Sequence, residues 1–362
     1  MKKYLIYAAG LLFCLAACDK NNDDDKPTVC PSGPATYAYV LNSGRAGSNN
    51  ASLSRINLSD TTVEADIFKS RNNRSLGDLA NDMIRYGGKL YITLDASGTI
   101  EVTDLDGNSL KQILTGQEPR RLAALNGYVY VTYFAGEVAK LDTASLQVVD
   151  YVKVGCNPDQ IVAANGKLYV ANTGGMDYAG KVDADGNYIG YDKTVSVIDP
   201  ADFTETKQIE VALNPGPMAV TADGSVYVVS LGNYQNVPNT VQRIDTQTDT
   251  ASPVDGLHAS ELFALGHTLY IMYGSYDANW NPTYNFFTYD TEAGAKGSDF
   301  LADTPANPYK MDAALDGSTV FVSSSDYTNN GDVSMYDLVS GKFEGKWEVG
   351  MNPVRTVVVS LP

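Results

Sequence analysis

Hydrophobic and polar positions alternate along this chain in short runs, and the runs repeat. From residue 34 onward, strands with an aromatic centre recur as Tyr37-Ala-Tyr39-Val40, Lys89-Leu-Tyr91-Ile92, Tyr128-Val-Tyr130-Val131, Lys167-Leu-Tyr169-Val170, Ser225-Val-Tyr227-Val228, Thr268-Leu-Tyr270-Ile271 and Thr319-Val-Phe321-Val322. Each is followed by a period-two strand closing on an acid or its amide, at Asn57, Asp104, Asp142, Asp199, Asp245, Asp290 and Asp337. An Asn-Pro or a substitute opens another strand at Glu118-Pro119, Asn157-Pro158, Asn214-Pro215, Asn307-Pro308 and Asn352-Pro353, and a fourth strand runs to Gly, as in Trp347-Glu-Val-Gly350. Alternation at period two marks half-buried strands, and four such strands in fixed order mark a repeat architecture.

Copies averaging about 47 residues across 34–362 match the blade of a β-propeller, so the pattern predicts an all-β, seven-bladed propeller of four-stranded blades. Each blade buries its faces against its neighbours, which lets some 330 residues stay in one body. The first copy lacks an Asn-Pro strand and the chain ends with an extra one, 352–360. That strand is expected to be the innermost of the N-terminal blade and to lock the ring. These motifs resemble the YncE-like or YVTN-type seven-bladed propellers over essentially all of 34–362.

Composition narrows the partners. The chain carries 43 Asp plus Glu against 26 Lys plus Arg, a formal charge of −17. That balance repels phosphate backbones and anionic lipid, so nucleic acid is not an expected partner. Tyr dominates the aromatics with 24 residues against 10 Phe and 2 Trp, a mixture suited to strands and wet contact surfaces.

Residues 1–17 read as a secretion signal: Lys2 and Lys3 precede an apolar run of about 14 residues, too short to span a bilayer. Its end, Leu15-Ala16-Ala17-Cys18, resembles a bacterial lipobox, which implies cleavage before Cys18 and lipid on that Cys. Cleavage removes two lysines and takes the charge from −17 to −19. Residues 18–33 then form a polar, acidic tether, and acids directly after the lipidated Cys resemble the surface-export signal of Bacteroidota lipoproteins. The expected location is the outer membrane, anchored by lipid alone and facing outward. Cys30 and Cys156 are left in a compartment that permits disulfides, to pair or to stay free. Two Cys and two His are too few soft ligands for zinc, and no metal site is expected.

The connections from second to third strand are long at 42–52, 173–193, 231–239, 274–284 and 323–331, whereas opposite turns such as Asn126-Gly127, Asp223-Gly224 and Asp316-Gly317 are minimal. One face is therefore elaborated, and loops on a rigid scaffold tend to carry binding. It holds Tyr178, Tyr188, Tyr191, Tyr234, Tyr276, Trp280, Tyr284 and Tyr327, interleaved with Asn233, Asn236, Asn279, Asn281, Asn329 and Asn330. Aromatic plates with amides suit an uncharged, flat, heteroatom-rich ligand. The connections from fourth to first strand add a mixed-charge rim toward the axis that includes Asp82, Arg120, Arg121, Asp159, His258, Glu261, Tyr309, Lys310 and Arg355. The sequence Asp183-Ala-Asp185-Gly-Asn187 fails the spacing of a calcium loop and predicts a hairpin finger from 182 to 189 with a two-residue turn at Asp185-Gly186.

No nucleophile elbow or phosphate loop is present, and the protein is expected not to be an enzyme; a glycosidase pair from Asp159 and Glu261 is the alternative to weigh. Lipobox, acidic tether and sevenfold repeat together look like the BtuG-type lipoproteins of Bacteroidota. That resemblance implies capture of cobalamin or a related corrinoid, as ligand rather than cofactor, and delivery to a BtuB-type TonB-dependent transporter. No motif carries residue roles across, so the candidates come from loop position. Trp280, Tyr276, Tyr234 and Tyr327 are placed at the macrocycle, Asn236 at its amides, and Arg121 or Arg355 at its phosphate, with Tyr178 a further candidate for ligand contact. An adhesion or glycan-binding propeller using the same face is the competing reading.

Overall fold

The Asn-Pro pairs owe their recurrence to backbone geometry. Asn157, Asn214, Asn307 and Asn352 all have φ between 48° and 63°, the left-handed region that Asn tolerates better than most residues. Three of them use the side-chain amide to bind the loop ahead: Nδ2 of Asn157 donates to Gly174 O at 2.8 Å, that of Asn214 to Gly232 O at 3.1 Å, and that of Asn352 to Gly44 O at 2.9 Å. These three therefore turn the chain inward and tie the incoming strand to the neighbouring connection. The following Pro starts the strand, where a missing N–H costs nothing to the ladder.

The computed structural model describes residues 35–174, 182, 184–277, 279–314 and 316–361. Cys18, Cys30 and Tyr178 lie outside the described residues. Strands fall into seven antiparallel sheets of four, one per blade. Blades are numbered here in chain order from the sheet that contains Ala35–Asn42. The first blade runs Pro353–Leu361, Ala35–Asn42, Ser52–Asn57 and Val63–Glu64 from the axis outward. The last strand of the chain thus pairs with the first, from Ala35 opposite Leu361 to Asn42 opposite Pro353, and closes the ring as the repeat count predicts.

The aromatic of each second strand fills a seam between blades. Seven apolar clusters occupy the seams, and Tyr39, Tyr91, Tyr130, Tyr169, Tyr227, Tyr270 and Phe321 each belong to or pack against a different one. Burying one such ring stabilises by roughly 2–3 kcal/mol. Some hydroxyls also latch the next blade: Tyr39 donates to Leu105 O, and Tyr169 to Asp249 Oδ1 at 2.7 Å. The acid or amide closing each third strand caps the tight turn that follows. Asp142 Oδ1 accepts from the N–H groups of Ala144 and Ser145, Asp245 Oδ1 from Gln247 and Thr248, and Asn57 Oδ1 from Ser59, which is Asx-turn chemistry.

Two long connections are shorter than the sequence pattern suggests. In the sixth blade the ladder of Thr268–Tyr276 with Pro282–Asp290 continues through Gly274 opposite Tyr284 to Tyr276 opposite Pro282, leaving 277–281 as the tip. In the fourth, Gly174 pairs with Tyr191. These elaborations are raised hairpins, because backbone groups above the blade rim are satisfied by extending the ladder. The finger of the fourth blade is bridged at Val182 and Tyr188, whereas a two-residue turn at Asp185-Gly186 would set Val182 opposite Ile189, so the two-residue reading is corrected. Tyr188 is buried there, and its N–H donates to Gln235 Oε1 of the fifth blade at 2.8 Å.

Candidate functional site: an aromatic crest above a ring of ion pairs

Three consecutive blades raise aromatic side chains off the elaborated face. Tyr234, Tyr276, Trp280 and Tyr327 are 70%, 68%, 81% and 63% exposed, while the second-strand tyrosines Tyr39, Tyr91, Tyr130, Tyr169 and Tyr227 are buried. Exposed aromatic surface on this scale is costly in water and marks contact sites. Tyr276 and Trp280 pair within one hairpin, ring centroids 6.1 Å apart at 49°. Tyr327 stands edge-on to Tyr309 at 5.7 Å, and Tyr234 edge-on to Tyr191 at 6.3 Å. Tyr284 links the sixth and seventh blades: burial pushes its hydroxyl up, with Tyr276 and Tyr327 adding to the rise.

The backbone explains why these rings stand out. Tyr234, Trp280 and Tyr327 have φ of 58°, 63° and 63°, a conformation that costs an aromatic residue about 1–2 kcal/mol. A neighbouring Asn or Asp offsets that strain in each case. Asn233 Oδ1 accepts from Gln235 N at 3.1 Å and Val237 N at 2.8 Å. Asp277 Oδ1 accepts from Asn279 N at 2.8 Å and Asn281 N at 2.9 Å, and its Oδ2 from Asn281 Nδ2 at 3.0 Å. Asp326 repeats the pattern with the N–H groups of Thr328 and Asn329 and the Asn329 amide. The bonds from Asn281 and Asn279 hold the Asp277 carboxyl below its usual range, and those from Asn329 and Thr328 do the same to Asp326. Several of the loop amides therefore build the loops. Asn236, a candidate for ligand amides, accepts from Asn233 Nδ2 at 2.7 Å through its Oδ1.

Below the crest, the innermost strands carry β-bulges just after their opening residue, as between Pro119 and Leu122, Pro158 and Ile161, and Pro308 and Lys310. A bulge re-aims side chains, and here two adjacent residues per strand serve the axis. The result is a chain of ion pairs. Arg355 Nε donates to Asp82 Oδ1 at 2.7 Å and its Nη1 to Asp312 Oδ1 at 2.8 Å. Arg120 and Arg121 both reach Asp159 Oδ1 at 3.2 Å, and Arg121 Nη1 donates to Asn81 O at 2.6 Å. Lys310 donates to Glu261. The two guanidiniums expected to meet a ligand phosphate, Arg121 and Arg355, are thus engaged with carboxylates and join neighbouring blades. The fifth blade contributes Pro215-Gly216-Pro217 at the same level and no charge.

Within this ring lies a cavity of about 340 Å³ lined by Arg121, Glu261, Lys310 and Arg355 toward the crest and by Val162, Val220 and Leu265 farther along. Burial raises Asp159 while Arg121, Arg120 and Lys310 pull it down, and the cations prevail at about 2. Burial raises Asp312, and Arg355 does not offset it fully. A glycosidase acid needs a raised pKa; Asp159 is ionised at neutral pH, and Glu261 is held by Lys310.

Cys156 is exposed, and its proposed partner lies outside the described residues. His258 stacks on Tyr273 with centroids 5.6 Å apart, and its Nδ1 lies 2.6 Å from Asn239 O.

Comparison with solved structures returns propellers of distant sequence. A chain of Kuenenia stuttgartiensis hydrazine synthase aligns with 15% identity and a TM-score of 0.59, over 76% of this chain and 92% of that one. Apo AztD from Citrobacter koseri aligns with 10% identity and a TM-score of 0.52, over 91% and 99%. The computationally designed Ika8 protein aligns with 10% identity and a TM-score of 0.53, over 87% and 89%. At these identities the likeness concerns fold. No curated protein matches the chain in sequence. A family profile matches residues 37–299, most of the propeller, and the chain accordingly belongs to the family described as Domain of unknown function (DUF5074).

Proposed function

We propose that the protein is a cell-surface lipoprotein that captures cobalamin or a related corrinoid on the aromatic crest and passes it to a TonB-dependent transporter of the outer membrane. The observation that carries this reading is the set of four aromatic side chains, 63–81% exposed, held out from the blades by loops braced from within. A corrinoid offers a broad apolar macrocycle edged with amides, which matches aromatic plates set among Asn side chains. The lipobox at Cys18, the acidic tether and the likeness to YncE-like and BtuG-type propellers support the same reading.

Titration with cyanocobalamin followed by desalting and a visible spectrum tests it. Wild type should retain the chromophore, Trp280→Ala and Tyr276→Ala should each lose about 2 kcal/mol of affinity, and Asp142→Ala, on the opposite face, should bind as wild type. Absence of any retained corrinoid, with binding to glycans instead, would favour the adhesion reading. Protease treatment of intact cells tests the location: a surface lipoprotein is degraded, whereas one facing the periplasm survives until the outer membrane is permeabilised.

A further inference from the structure

Along the third strand of the sixth blade, Asn285, Phe287 and Tyr289 follow at period two and so share one face. Tyr273 stands opposite Asn285 in register, and Lys296 opposite Tyr289. This face looks across the seam at the fifth blade, since Phe287 packs in one cluster with Tyr227 and Val241. The outer strand of the fifth blade ends at Pro253. Asp255 and His258, in the connection that follows, line the other side of a hollow of about 390 Å³, a size within the range of small-ligand sites. None of Tyr234, Tyr276, Trp280 and Tyr327 borders it.

We propose that this hollow binds an uncharged saccharide. The assignment is independent of the corrinoid reading and concerns a separate site. Three observations carry it. The walls include flat rings: His258 is stacked on Tyr273 at 28° between planes, and the half-buried Tyr289 lies lower on the same face. Flat rings suit the apolar C–H face of a sugar. The polar groups around these rings are unengaged. Among the described residues, the Asp255 carboxylate, the Asn285 amide and the hydroxyls of Tyr273 and Tyr289 have no hydrogen-bond or ion-pair partner, whereas Asp277 and Asp326 of the crest brace their own loops. His258 Nδ1 lies 2.6 Å from Asn239 O; a carbonyl only accepts, so that nitrogen carries the proton and Nε2 is left as an acceptor. An apolar occupant would strip water from these groups at about 1–3 kcal/mol for each one left unpaired, so the occupant must itself be dense in donors and acceptors. The third observation is charge. One carboxylate, Asp255, and one ammonium, Lys296, border the hollow, and Lys296 Nζ is already seated 3.9 Å from the centroid of the Phe287 ring. An anionic ligand would meet the acid as well as the base and gain little from the pair. A neutral molecule rich in hydroxyls, with one flat apolar face, satisfies all three conditions.

The test is an array of immobilised glycans built from hexoses and N-acetylhexosamines, printed both as neutral chains and as the same chains capped with sialic acid or sulfate. Wild type, Asp255→Ala, Asn285→Ala and Trp280→Ala are applied to it, and the retained glycan is then titrated in free form at low and high salt. Asp255 and Asn285 are exposed, so their replacement should leave the fold intact, which thermal unfolding of each variant checks. Wild type is expected to retain a neutral glycan with an affinity that salt does not change. Asp255→Ala and Asn285→Ala are each expected to weaken it by about tenfold, and Trp280→Ala to bind it as wild type. Retention of no neutral glycan, or of acidic glycans alone with loss at high salt, would overturn the proposal. So would loss in Trp280→Ala with both hollow variants unaffected, which would put the glycan on the crest.

Discussion

Arg355 and Asp82 lie 273 positions apart in sequence and are joined by a 2.7 Å bond across the seam between the first and second blades. Because Arg355 also holds Asp312 of the seventh blade, one guanidinium from the closing strand spans three blades. The two carboxylates are nearly inaccessible to solvent, and removing one partner of a buried pair costs more than the pair contributes.

Replacement of Arg355 by Leu should therefore destabilise the propeller by about 3 kcal/mol, read from chemical denaturation at neutral pH. Arg355→Lys restores charge without the planar fork that reaches two acids and should recover less than half of the loss. Trp280→Ala, which touches no seam, should unfold as wild type does.

Acid should act on the ring in two opposed ways. Asp159 has a folded pKa depressed to about 2, so its contribution is present above the ordinary carboxylate value and is lost as pH falls from there through about 2. Asp312 has a raised folded pKa, so its contribution has the opposite sign: it is present below the ordinary value and disappears as pH rises through the folded one. Denaturation of wild type and Asp159→Asn should converge as pH is lowered from about 5 to 2, by roughly 2 kcal/mol in their difference. Asp312→Asn should remove any gain in stability seen on approaching pH 4 from above.

Deletion from Asn352 onward removes the innermost strand of the first blade and uncovers the edge of Ala35–Asn42. The truncated chain should aggregate or lose its cooperative transition in a thermal melt. A melting curve unchanged from wild type would mean that the ring is held without this strand.

Loosening the crest should separate binding from folding. In Asp326→Ala and Asp277→Ala the N–H groups of exposed loops lose a partner that water can replace, so thermal stability should change by less than about 1 kcal/mol. Tyr327 and Trp280 would leave the left-handed conformation, and corrinoid affinity should fall about as far as when the rings themselves are removed, as measured by the same titration.

Repeat number, blade composition and ring closure were legible because each blade must fill a seam with an aromatic and cap a turn with an acid. Tyr91 and Asp104 announce their blade locally. The crest was legible in outline, since Tyr234, Tyr276, Trp280 and Tyr327 fall in long connections. The bracing pattern also has a sequence signal, an Asn or Asp before the aromatic with an Asn following, as in Asp277-Ala-Asn-Trp280-Asn281 and Asp326-Tyr327-Thr-Asn329. The carboxylates that hold Arg121 and Arg355 were not legible, because they come from other blades and sequence separation says nothing about which acid meets which base around an axis.

The pairing of Ala35 with Leu361 has a practical consequence for orientation. Both ends of the closing strand pair lie at the rim of minimal turns, while Asn42 and Pro353 mark the opposite rim, beneath the crest. A label, bead or sensor chip attached upstream of Ala35 or after Leu361 thus approaches from the far side and leaves Trp280 and its neighbours open to solution.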